Sequence, residues 1–254
     1  MKIGIIGDSG LIGLSFALLC EKNGYEVMIS DSNEDYIYNL NNKICLSNEP
    51  MIQSMLFDVV KFTATTNNLD LIKHSDIIFT FIPTPSNITD DLNTTKIFEV
   101  ISNFYSASSL EIPIYEKKFI IGSTTNPGDV EQIQQRLSMF NIQVAYVPEF
   151  TSPGEIVKNF QQSDVVLIGT EYQELSNQLI SIYTKIQTSQ LNAYVMSTKS
   201  AELIKIALSG LIATKITYGN MLGEVMINAG LENEIGVAMS VMCGDSKTDK
   251  KYLK

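Results

Sequence analysis

The stretch that most limits what this chain can fold into is GIIGDSGLIG, Gly4 to Gly13. It closes the short apolar run Lys2–Ile6 and opens GLIGLSFALLCEKNG, whose apolar residues recur at helical spacing and which ends on Gly24, a residue type that terminates helices. YEVMIS, Tyr25 to Ser30, reads as the next strand and runs into Asp31. A strand, a glycine turn, a helix and a second strand ending in an acid form the start of a βαβ unit that can seat a dinucleotide. The glycines are spaced G-x-x-G-x-x-G, so the turn is one residue longer than the usual G-x-G-x-x-G. Gly7 lets the chain turn sharply. Gly10 lets the backbone approach a pyrophosphate where Leu11 and Ile12 open the helix, and Gly13 lets that helix pack closely on the strand. Asp31 lies 24 residues after Gly7, near the offset at which a carboxylate takes ribose hydroxyls. A carboxylate there repels a 2′-phosphate, which favours NAD over NADP. The alternative is a glycine-rich turn with no ligand. No G-K-[ST] follows, which excludes a nucleotide triphosphate P-loop.

Beyond this unit the pattern repeats. SDIIFTFIPTP, KKFIIGSTTNPGD, IQVAYVPEF, DVVLIG (Asp164 to Gly169) and NAYVM each carry a strand-like run, with an amphipathic helix from about Glu171 to Ile186. Apolar strands without alternation, separated by helices, predict an α/β fold with a doubly wound, mostly parallel Rossmann-like sheet covered on both faces. From Thr198 to about Ala229 the pattern changes to one long helical stretch without proline. Its apolar residues recur on more than one face, which predicts burial on several sides, and two mid-helix glycines permit close packing. A further helix and a polar tail follow. The predicted domains are 1–196, the dinucleotide-binding sheet, and 197–254, the long helix with a partial helical dimerisation domain.

The formal net charge of −10 argues against nucleic acid as a partner, because phosphate backbones need a clustered basic surface. Cys20, Cys45 and Cys243 have no metal-site spacing and their odd number suggests no disulfide framework. No metal is expected. The N-terminus enters a strand directly, and no apolar stretch is long enough for a bilayer, so the expected location is the cytoplasm, away from membranes.

Taken in order, the glycine turn, GYEVMISDSN, SNEPMIQSML, SDIIFTFIPTPSN, GSTTNPGDVE, YVPEFTSPGEIVKNF and AELIKIALSGLIATKITYGNMLGE resemble the UDP-glucose/GDP-mannose 6-dehydrogenase family, from Met1 to about Lys254. The resemblance implies an NAD-binding domain, a long central helix for homodimerisation (here 198–229), and a C-terminal nucleotide-sugar domain. CGDSKTDKKYLK resembles the family's D-x-R-I-G-x-x-Y-L stretch with the Arg replaced. In the family the catalytic cysteine follows it, and this chain stops at Lys254 before that segment.

Family members oxidise a sugar C6 alcohol to a carboxylate in two hydride transfers to NAD, through a cysteine thiohemiacetal and thioester. By resemblance the cofactor residues are Gly7, Gly10, Leu11, Ile12, Gly13, Asp31, Thr84, Thr124 and Glu149. The catalytic candidates are Lys205, Ser209 and Glu149. Lys205 matches an active-site lysine, but Ser209 stands where the family has asparagine, while Lys215 and Asn220 keep the later pattern of that helix. Pro153 replaces a second glutamate, and Glu155, two residues on, is a possible substitute. Cys243 precedes the Asp245 motif instead of following it and reads as a buried helical residue. Cys20 and Cys45 read as packing, and His74 as a capping or surface residue at a helix end.

Three functions are therefore open. One is a nucleotide-sugar 6-dehydrogenase acting on a UDP-glucose-like substrate, impaired or incomplete as this chain. Another is a non-catalytic NAD-binding dimer or half of a split enzyme. The third is a two-electron NAD-dependent alcohol dehydrogenase.

Overall fold

The structure, a computed structural model, describes residues 1–7, 10–86 and 91–244. Eight strands form one sheet: β1 Lys2–Gly7, β2 Glu26–Ser30, β3 Phe62–Thr65, β4 Ile77–Phe81, β5 Lys118–Ile121, β6 Gln143–Tyr146, β7 Val166–Gly169 and β8 Ala193–Met196. Their order is β3-β2-β1-β4-β5-β6-β7-β8. All neighbours are parallel except β6 and β7, which meet antiparallel at Tyr146 and Gly169. The expected doubly wound, mostly parallel sheet is what forms.

Strand alternation sends side chains to two cores. On one face Ile3, Ile5, Val27, Ile29, Ile77 and Phe79 pack with helices α1 (Leu11–Lys22), α3 (Ile52–Asp58), α7 (Ile156–Gln161) and α8 (Gln173–Ile186). On the other, Ile6, Ile78, Phe119, Ile121 and Val144 pack with α4 (Asn68–His74), α5 (Thr95–Ser109) and α6 (Asp129–Leu137). The remaining helix on the β2–β3 side, α2, spans Glu34–Asn41 and is capped by Asn33, whose side chain accepts the Tyr36 N–H. Every residue of β4 is buried, as a central strand covered on both faces must be. Gly13 lets α1 lie close on the sheet: a Cβ there would meet Ile5 Cγ2 at 3.4 Å and Phe81 Cδ2 at 3.6 Å.

The chain divides into two compact units, Met1–Leu203 and Ile204–Lys254. The division falls within the long helix α9, Thr198–Asn228. Its first turn belongs to the first unit, where Ala201 is fully buried. A Cβ on Gly169 would lie 2.7 Å from the Ala201 Cβ and 3.0 Å from the Thr198 Cα, so only glycine in β7 allows this approach. The second unit holds the rest of α9 and α10, Ile235–Gly244. Gly230, at φ 74°, ends α9 with the paired bonds Gly230 N–H to the Ile227 carbonyl and Leu231 N–H to the Met226 carbonyl.

Burial of α9 on several sides does not occur in the single chain. Only Thr198, Ala201 and Glu202 of this helix are buried, while Leu211, Ile216, Met221 and Val225 are each about half exposed. Gly210, Gly219 and Gly223 have no neighbour within 4 Å of a built Cβ. An all-round apolar helix shows only that something must cover it; the described residues of this chain do not.

Candidate cofactor site

The strand order reverses between β1 and β4, and there the connections leave in opposite directions and open a crevice at the carboxyl ends of the strands. Register pairs Ile6 with Ser30 and Gly7 with Phe81, so β1, β2 and β4 end at one level. Gly7 closes β1. Gly10 caps α1 with φ −90° and ψ 142°, and as a glycine it brings no side chain to that helix end. The first N–H groups of a helix are a favourable place for an anion such as a pyrophosphate. Leu11 and Ile12 are half-buried in its first turn. Asp8 and Ser9, inside the turn, lie outside the described residues, as does the stretch from Asp245 that resembles the family's later motif.

Asp31 follows β2 and is only 3% exposed. Its Oδ1 accepts the Asn33 N–H at 2.8 Å, which fixes the carboxylate. Its Oδ2 lies 4.0 Å from where a Cβ on Gly7 would stand, so the acid faces the glycine turn. Between them is a cleft of about 360 Å³, within the range of small-molecule sites. Besides Gly7 and Asp31 its lining includes Ser32, Asn68, Lys96 and Glu99. None of these four is legible as a site residue, since no motif marks them. The glycine left open toward the cleft and the fixed carboxylate opposite are what a ribose and pyrophosphate need, so the residues present fit a dinucleotide.

The structure also brings Thr84 and Thr124 together. The Thr84 hydroxyl donates to the Thr124 carbonyl at 2.7 Å, and the Ile82 N–H donates to Ser123 Oγ at 2.7 Å. The loops after β4 and β5 are therefore one connected rim. Behind Thr124, Glu202 of α9 reaches in fully buried and accepts three hydrogen bonds, from Thr125 Oγ1 (2.9 Å), Gly128 N (2.7 Å) and Val130 N (3.0 Å). Burial pushes its carboxyl above the usual range against the opposing pull of those donors.

Glu149 follows β6, and its Oε1 accepts the Tyr183 hydroxyl at 2.6 Å. Tyr183 is buried on α8, and desolvation first, then Glu149, lifts its phenol well above the normal range. That phenol therefore stays a donor. A few residues on, the Glu155 carboxylate pairs with Lys158 at 2.8 Å. The carboxylate that acts on this loop is Glu49, buried, which accepts the N–H groups of Gly154 (2.7 Å) and Ile156 (2.6 Å). Sequence reasoning missed Glu49, Tyr183 and Glu202, although each sits within a quoted motif or helix.

Lys205 and Ser209 lie in the second unit, on one face of α9. The Ser209 hydroxyl donates to the Lys205 carbonyl at 3.1 Å, so it is engaged along its own helix. None of the three cysteines is in a disulfide. Cys20 is buried in α1, where burial and then Glu149 raise its thiol well above normal; burial also raises Cys45. Cys243 is 3% exposed on α10, as expected of a packing residue. His74 ends α4 beside Glu26, and burial lowers its pKa despite that acid. Among the described residues no group of acids, histidines and cysteines could hold a metal, and no helix is long and apolar enough to cross a membrane.

A doubly wound sheet with Gly7 at the end of β1 facing a fixed carboxylate in the switch-point cleft defines a Rossmann-type dinucleotide-binding domain. More narrowly, the chain belongs to the UDP-glucose/GDP-mannose dehydrogenase family, whose NAD binding domain matches residues 1–187. The UDP-glucose 6-dehydrogenase of Rickettsia conorii is 29% identical over 237 residues, covering 91% of this chain and 52% of that protein. The GDP-mannose 6-dehydrogenase of Azotobacter vinelandii is 26% identical over 97% of this chain and 57% of its own length. A GDP-mannose dehydrogenase from Pseudomonas aeruginosa, solved as a ternary complex, superposes with a TM-score of 0.88 at 23% identity, over 100% of this chain and 59% of that one, which shows the shared fold. The chain spans about half the length of these curated relatives.

Proposed function

We propose that this chain binds NAD in the β1–β4 cleft and forms the cofactor half of a nucleotide-sugar 6-dehydrogenase of the UDP-glucose-oxidising type. The observation that carries the reading is Asp31 held against the Gly7 turn in a cleft at the strand-order reversal. Bound there, NAD supplies the hydride acceptor for alcohol oxidation. Asp31 takes the ribose hydroxyls, and the N-terminus of α1, with Gly10, Leu11 and Ile12, takes the pyrophosphate. In this reading Thr84 and Thr124, joined by their hydrogen bond, and Glu149, held by Tyr183, contribute to the cofactor site from the loops after β4, β5 and β6. Lys205 and Ser209 supply the active-site positions of the central helix. The three thiols favour a reducing, cytoplasmic setting.

A specific observation favours the half-enzyme form of this reading. Covalent catalysis needs an accessible thiolate, but Cys20 and Cys243 are buried, and burial raises the thiol of half-buried Cys45. The expected result is NAD binding by calorimetry, without steady NADH formation from NAD and UDP-glucose by this chain alone. Two NADH per sugar would establish the complete reaction here, one per sugar would establish the two-electron dehydrogenase, and no NAD binding would refute the proposal. Asp31→Asn is expected to weaken NAD about tenfold, since it removes charge-assisted bonds to the ribose, and to narrow the preference over NADP.

The half-exposed apolar residues of α9 support a homodimer through that helix. Sedimentation is expected to give a dimer, and Leu211→Glu a monomer that still binds NAD.

A further inference from the structure

We infer that Glu202 is a positioning residue for the cofactor loop and makes the first turn of α9 part of the NAD cradle. The inference rests on the NAD reading above and adds to it a link between cofactor occupancy and the docking of this helix.

The loop between β5 and α6 is anchored from a distant helix. Gly128, the N-cap of α6, has no side chain and stands at φ 102°, so the helix start has no cap of its own. At that positive φ a serine or asparagine cap would be strained, so the helix start must be satisfied from elsewhere. This chain sends a fully buried carboxylate from a residue 72 to 77 positions later in sequence. Burying a carboxylate is costly unless it is fully hydrogen-bonded. Here both oxygens are engaged: Oε1 by Thr125 and Val130, Oε2 by Gly128. The N-terminus of α6 also favours a negative charge.

Glu202 is held in place when the first turn of α9 is docked. Its neighbour Ala201 is packed on Gly169 of β7, where no larger residue fits. The loop in turn cannot move without Glu202, because the anchored Thr125 is bonded directly to Thr124 in the chain, and the Thr124 carbonyl receives the Thr84 hydroxyl. A continuous series of contacts thus runs from α9 through Thr125 and Thr124 to Thr84 on the loop after β4. Any ligand that selects the ordered form of these loops must also select the docked form of the first turn of α9. By linkage the effect is reciprocal: undocking that turn lowers affinity for the ligand.

The test is NAD affinity by calorimetry, together with hydrogen exchange at the amides of Ala201, Glu202 and Leu203, on the 254-residue chain. In the wild type, NAD is expected to slow exchange at these amides. Glu202→Gln is expected to weaken NAD about tenfold and to remove that slowing. Thr125→Val, close in shape and lacking only the hydroxyl bond to Glu202, is expected to do both to a lesser degree, and it decides the matter should Glu202→Gln not fold. A merely structural role would lower the melting temperature of both variants and leave the affinity of the folded protein unchanged. The inference is overturned if the wild type binds NAD with no change at these amides, or if folded variants bind NAD as the wild type does. Failure of the wild type to bind NAD refutes the cofactor reading itself and the inference with it.

Discussion

Gly7→Val is expected to abolish measurable NAD binding while the protein stays folded. Gly7 is not among the glycines with positive φ, so its backbone accepts a side chain, and a β-branched residue suits the end of a strand. Among the described residues the nearest atom to a new Cβ is Asp31 Oδ2 at 4.0 Å, which leaves room for it. The valine methyls instead enter the cleft of about 360 Å³ at the point where a ribose and pyrophosphate must come close to the backbone. A loss of at least about 100-fold, or about 2.8 kcal/mol, is expected by calorimetric titration. Circular dichroism should show an unchanged fold. Undiminished affinity would remove the glycine turn from the site.

Phe16→Ala is expected to be the most destabilising of the substitutions considered. Phe16 is fully buried on α1, with its ring centroid 4.7 Å from Phe79, 5.5 Å from Phe81, 5.3 Å from Phe160 and 5.6 Å from Tyr183. One side chain thus joins α1 to β4, α7 and α8. Removing it leaves a cavity bounded by rigid rings that cannot close in, at a cost of about 3–5 kcal/mol. That is a large share of the ~5–15 kcal/mol typical of a whole domain. For a unit of this size the melting temperature should fall by about 6–20 °C in a thermal scan. Phe16→Leu, which fills most of the space, should recover most of the loss. Equal melting temperatures for Phe16→Ala and the wild type would mean that this aromatic cluster does not hold the layers together.

How much could be read from the amino acids alone follows from the range of the interactions. The unit from β1 through the glycine turn to Asp31 was legible because every signal in it is local: an apolar run, glycines at fixed steps, helical spacing and an acid at a strand end. The length of α9 was legible for the same reason, from an unbroken helical pattern without proline. Strand β3 was not. FTAT is four residues long, sits at the sheet edge and is only partly buried, so it carries little of the apolar pattern that marked its neighbours. The burial of α9 was misread because periodicity reports apolar faces and not what covers them. Thr84 and Thr124 were found by resemblance, but the bond between them spans 40 residues and belongs to the fold. Glu49, Tyr183 and Glu202 left no local sign of their roles, since a buried acid or phenol is recognised by its partners, and those partners are 34 to 107 residues away.

Those same separations govern the order in which the molecule can be built. Glu49 must wait for Gly154 and Ile156, 105 and 107 residues later, and the loop at Thr125 must wait for Glu202. Contacts that close such long stretches form late, because the entropy of closure precedes any gain from the contact. A chain emerging from synthesis therefore completes these two loops only after residues 72 to 107 positions beyond their first-made partners have been added and folded back.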